Sequence, residues 1–76
     1  MKIDVNEYYN VTFKDIEDRI CDINLKGSEL INQIKLFLDY ADLVNVIFGF
    51  NMIIFNYETA ISIDKIILHF EKVYNE

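Results

Sequence analysis

The 76-residue chain predicts a small α+β fold: a short β-strand, two helices, a β-hairpin and a C-terminal helix, with the helices packed on one face of the sheet. Three observations lead there. The segment Leu43 to Tyr57, LVNVIFGFNMIIFNY, is almost wholly aromatic, β-branched or otherwise apolar, which suits the strands of a buried hairpin. On either side of it apolar residues recur at three- and four-residue spacing, the period of a helix face. Proline is absent, so punctuation falls to Gly27, Gly49 and the Asn and Ser residues. The alternative is an all-α bundle in which Leu43 to Tyr57 is a buried helix, its Asn45, Gly49 and Asn56 forming a thin polar stripe.

The first element is an edge strand over Lys2 to Asn6, where Ile3 and Val5 alternate with polar neighbours. A first helix follows from the spacing of Phe13, Ile16, Ile20 and Ile23, with Thr12 as its N-cap and Gly27 just past its end. Ser28 then caps a second helix, Glu29 suits the positive end of its dipole, and Leu30, Ile31, Ile34, Phe37, Leu38 and Ala41 form its apolar stripe. The hairpin comes next, Val44 to Phe48 against Asn51 to Tyr57, around a tight turn with Gly49 at a position that needs positive φ. Pairing Phe48 with Asn51 would bring Val44, Val46 and Phe48 onto one apolar face with Ile53 and Phe55. Ser62 caps the last helix, on which Ile63, Ile66, Ile67, Phe70 and Tyr74 share a face.

Length and composition bound the rest. Residues 1–76 read as a single compact domain, and at 53% hydrophobic the chain lies outside the composition of disordered segments. One cysteine, Cys21, and one histidine, His69, are too few for a disulfide framework or a Cys/His zinc cage. A free cysteine and an N-terminus without an apolar signal region predict a cytoplasmic protein. The apolar run is shorter than the ~20 residues that span a bilayer and holds three asparagines, so no membrane insertion is expected. Richness in Ile, Asn, Lys, Tyr and Phe implies AT-rich codons, an association with low-GC genomes and mobile elements.

Thirteen Asp and Glu against seven Lys and Arg give a net charge of −6. That balance disfavours direct binding to DNA or RNA and would attract a basic protein. No phosphate-cradling glycine loop, serine-nucleophile motif, zinc-protease motif or calcium loop occurs, and no cofactor or metal is expected. Cys21 and His69 could serve a thiol enzyme only if the fold joined them, and Asp18 and Asp22 set the wrong field for a thiolate. Cys21 reads instead as a small buried thiol.

On a first helix, Asp15, Asp18 and Asp22 would share one side. Such a stripe has three readings: a solvated face, a docking stripe for a basic protein, or a divalent-cation site, for which a straight helix diverges the oxygens. Leu36, Tyr40, Leu68, Tyr8 and Tyr9 fall outside the inward faces and suggest a contact surface. The function these features predict is a small acidic non-enzymatic protein-binding module. It would be an inhibitor, antagonist or immunity-type protein that occludes a partner, with a basic nucleic-acid-binding protein as the complementary class. Asp15, Asp18, Asp22, Asp39 and Asp42 would steer approach, and Tyr8, Tyr9 and Tyr40 would supply contact area. The other class is a structural or oligomerisation subunit acting through self-association, with a homodimer as its simplest form.

Overall fold

The computed structural model describes residues 2–15 and 20–74. Its elements are β1 (Tyr8–Lys14), β2 (Ile20–Lys26), α1 (Gly27–Leu38), β3 (Leu43–Phe48), β4 (Met52–Glu58) and β5 (Ile63–Lys72). The strands form one sheet in the order β2-β1-β5-β4-β3, antiparallel at every step. The helix follows one edge strand, β2, packs on one face of the sheet and leads into the other edge strand, β3.

This overturns both predicted fold classes, the α+β arrangement with three helices and the all-α bundle. The region read as a first helix is the β1 and β2 pair, and the region read as a C-terminal helix is β5. The reason lies in a second periodicity within the same residues. Tyr9, Val11 and Phe13 alternate with Tyr8, Asn10, Thr12 and Lys14, and Cys21, Ile23 and Leu25 alternate with Asp22, Asn24 and Lys26. In β5, Ile66, Leu68 and Phe70 alternate with Lys65, Ile67, His69 and Glu71. Alternation places whole sets on opposite sheet faces, and tertiary pairing rewards it over the helical spacing of Phe13, Ile20 and Ile23. Ile16 and Asp18, which completed the helical patterns, lie outside the described residues.

The caps change with the elements. Thr12 sits in mid-strand, and its hydroxyl donates to the Asp22 carboxylate on β2 at 2.6 Å. Ser62 lies in the turn before β5, where its N–H donates to the Thr59 hydroxyl at 3.0 Å. Gly27 opens α1 and does not close a helix. Residues 2 to 7 form no strand. They fold back on α1, where Glu7 and Val5 carbonyls accept the N–H groups of Gly27 at 2.7 Å and Ser28 at 3.2 Å. These main-chain partners, and not the Ser28 side chain, satisfy first-turn donors of the helix.

The hairpin around Gly49 has a register different from the one expected. Gly49 N–H donates to the Met52 carbonyl at 2.7 Å, Phe50 and Asn51 occupy the turn, and Phe48 pairs with Ile53. Gly49 flanks this turn without positive φ.

The core lies between α1 and the helix-side face of the sheet. Val11, Leu30, Ile53, Phe55 and Leu68 are fully removed from water, with Tyr9, Ile34 and Phe70 nearly so. Each such side chain stabilises the fold by roughly 1.5–3 kcal/mol relative to exposure. Phe37 joins helix to sheet through rings of Phe13 and Phe55, at centroid distances of 5.6 and 5.1 Å. Leu68, read as off the inward stripe of a helix, is a central core residue. The sheet's middle strand, β5, pairs with β1 on one side and β4 on the other, Val11 opposite Phe70 and Ile53 opposite Leu68.

Candidate functional site

Among the described residues, the face turned away from α1 and the outer edges of β2 and β3 carry no further strand or helix. Register fixes what the open face carries. Across β2, β1, β5 and β4 runs a mostly polar row, Asp22, Thr12, His69 and Met52. His69 Nε2 and the Asn51 amide nitrogen are 3.0 Å apart. A parallel row across β5, β4 and β3 is apolar: Ile67, Ile54 and Ile47. Beside it the Asn56 amide donates to the Asn45 carbonyl oxygen across β4 and β3.

The two edges differ in kind. On β2, Asp22 and Lys26 put charges along the edge, a common protection against strand addition. On β3, LVNVIF carries none, and no charge occurs from Leu43 to Tyr57. Val44, Ile47 and Phe48 are each more than half exposed, and Phe50 in the adjoining turn is 92% exposed. In a protein of net charge −6 this is an uncharged, apolar edge with its backbone open on one side.

The residues proposed from sequence scatter over this framework. Asp15 follows β1, Asp22 is on the open face of β2, and Asp18 is outside the described residues, so among the described residues no helix carries an acidic stripe. Asp39 is the C-cap of α1 and Asp42 precedes β3. The fold brings Asp42 beside Glu58, whose N–H donates to the Asp42 carbonyl at 2.9 Å, and Asp64 lies opposite Tyr57 on the next strand. Acidic residues thus gather where β3 and β5 begin and β4 ends.

Tyr8 is exposed on the open face. Tyr9 is buried against Phe70, and its hydroxyl accepts the Asp4 N–H at 2.9 Å. Tyr40 is exposed, stacked on Phe37 and edge-on to Tyr57 at 5.2 Å. The Tyr57 hydroxyl donates to the Phe37 carbonyl at 2.9 Å. Burial, with a smaller contribution from Tyr40, pushes the Tyr57 phenol up from 10.0 to about 12.

Cys21 is exposed, contrary to the buried thiol expected. The register puts Cys21 opposite Phe13 on the helix-side face and His69 opposite Thr12 on the open face, so the sheet separates them. Among the described residues no group of three His, Cys, Asp or Glu side chains is placed to hold a metal ion, and no helix is long and apolar enough to cross a membrane. An open groove of about 650 Å³ lies between Phe50, Phe70, Tyr74 and Lys72. Its Lys72 ammonium is 3.9 Å from Glu7 and 5.6 Å from the Tyr74 ring centroid.

No family model matches the chain, and neither a curated protein nor a solved structure is similar to it.

Val44 and Phe48, expected on the covered apolar face of the hairpin, are exposed instead, and Ile47 is exposed on the open face beside them. The signal was present: a fifteen-residue run without charge, folded as a hairpin, must either be covered on both sides or offer an edge.

Proposed function

We propose that the chain is a non-enzymatic protein-binding module that meets its partner strand to strand along β3. The observation that carries this reading is the open, uncharged β3 edge with Val44, Ile47 and Phe48 exposed. Strand addition supplies affinity through main-chain hydrogen bonds, and the flanking side chains supply selectivity. The reading takes two forms. As an inhibitor or antagonist, the module occludes another protein, and the acids around Asp42, Glu58 and Asp64 select a partner with basic residues beside its strand. As a structural subunit, it associates with itself, and the lack of charge on β3 favours this form.

Photo-cross-linking tests the reading in both forms. A photoreactive residue at position 47 on β3 should join the chain to protein in its native lysate, itself included. The same residue at position 24, on the charged β2 edge, should give little product. Equal labelling from the two edges, or none from position 47, overturns the reading.

A further inference from the structure

We propose that two copies of the chain pair β3 against β3, antiparallel about a two-fold axis midway between their Val46 residues, joining two five-stranded sheets into one continuous sheet. This rests on β3 as the contact edge and commits that edge to one occupant.

The backbone pattern supplies the register. Gly49 donates to Met52, and bonding alternates along an antiparallel pair, so Ile47 and Asn45 direct their N–H and C=O groups toward β4. Val46 and Phe48 direct theirs outward. A two-fold axis perpendicular to the sheet requires opposed residues to share a face. Val46 opposite Val46 of the second copy meets that condition, with Ile47 opposite Asn45 of the second copy. The outward groups of Val46 then bond reciprocally. The two Ile47 side chains become diagonal neighbours, close enough for contact. Phe48, on the helix-side face, comes opposite Val44 of the second copy, where the register of β3 with β4 shifts.

Charge selects the orientation. Parallel pairing would set Asp42 of one copy against Asp42 of the other. Antiparallel pairing sets the acidic end of each copy beside the uncharged Phe50–Asn51 turn of the other. The two acidic clusters are then a strand length apart, about 20 Å for six residues, beyond the Debye length of about 8 Å at physiological salt. Covering Val44, Ile47, Phe48 and Phe50 with the strand edge in both copies would bury on the order of 1,000 Å² in total, the threshold of a specific interface. The contact uses each β3 once, and charges guard β2, so assembly closes at the dimer.

Sedimentation equilibrium of the purified chain from micromolar to millimolar concentration tests this, with far-UV circular dichroism as the check on folding. The wild-type chain should give the mass of two chains, and added salt should strengthen association by screening the remaining acids. Ile47→Lys should weaken the dimer about tenfold or more, because an ammonium would be desolvated against an uncharged edge. Val46→Pro removes an outward N–H but no β3–β4 bond and should give a folded monomer; if it unfolds, Ile47→Lys alone decides. A wild-type chain that stays monomeric at millimolar concentration overturns the proposal, as does a dimer indifferent to Ile47→Lys. A monomeric chain that still cross-links to a foreign protein from position 47 overturns self-pairing and leaves the protein-binding reading standing. Absence of both overturns both.

Discussion

The Tyr57 hydroxyl on β4 donates a 2.9 Å hydrogen bond to the main-chain carbonyl of Phe37, tying the last turn of α1 to the sheet. A carbonyl in the last turn lacks an intrahelical i+4 partner; the Phe37 carbonyl accepts the Tyr40 N–H at 3.3 Å, and the phenol adds a second, shorter bond to it. Burial and the neighbouring Tyr40 raise the phenol's pKa from 10.0 to about 12. With the folded value above the unfolded one, the unfolded chain releases its proton first. Tyr57's contribution is therefore whole below pH 10 and is lost as pH climbs toward 12. Tyr57→Phe should cost about 1 kcal/mol at neutral pH, and the gap between wild type and variant should narrow above pH 10. Urea denaturation of both chains at neutral and alkaline pH checks this. A gap that widens with pH contradicts the assignment.

Gly27 has no room for a side chain. A Cβ there would lie 1.9 Å from the Asp4 carbonyl oxygen and 3.0 Å from the Val5 Cα, both main-chain atoms that cannot swing aside. Gly27→Ala should therefore displace residues 2 to 7 from the start of α1 and cost about 1–3 kcal/mol, the usual range for overpacking. The check is the denaturation midpoint together with amide exchange at Gly27 and Ser28, whose N–H groups now donate to Glu7 and Val5. Unchanged protection of those two amides would show that the segment is not held by this contact.

What the sequence disclosed depends on how far apart its partners are. The Leu43 to Tyr57 run is dense in β-branched and aromatic residues and bends on itself, so its strands pair locally and composition sufficed to suggest them. The stripe of Leu30, Ile34 and Phe37 likewise marked α1 from within. β5 was hidden because Ile63, Ile66, Ile67 and Phe70 fit a helix face, while the competing alternation rests on Leu68, which the helical reading set aside. Its pairing partner, β1, lies at the other end of the chain, and nothing local marks Val11 as the neighbour of Phe70. The site suffered from the same error. An acidic stripe of Asp15, Asp18 and Asp22 exists only on a helix, and Tyr9 reads as surface unless its alternation with Tyr8 places it on the covered sheet face.

Two phenylalanines five positions apart in the β3–β4 hairpin should differ sharply in their worth. Phe55 is fully buried beneath Phe37, whereas Phe50 is 92% exposed in the β3–β4 turn. Phe55→Ala should cost about 3–5 kcal/mol, enough to unfold a chain of this size. Phe50→Ala should change the stability of the monomer by less than about 0.5 kcal/mol. Thermal melting of both variants at low protein concentration separates the cases. Comparable losses would mean that the turn residue is packed in a way its exposure denies.

The most severe prediction concerns β5. Among the described strands it alone joins the β1–β2 pair to the β4–β3 pair, through the registers of Val11 with Phe70 and Ile53 with Leu68. Without it, two hairpins remain, each marginal in water by itself, and α1 loses the shared surface that Leu68 and Phe70 complete. A chain ending at Ser62 should therefore show no cooperative thermal transition and no strand signal by far-UV circular dichroism. Adding residues 63 to 76 as a separate peptide should restore both in a concentration-dependent way, since the missing strand is central and pairs on either side. If the shortened chain melts cooperatively alone, the middle place of β5 in the sheet is wrong.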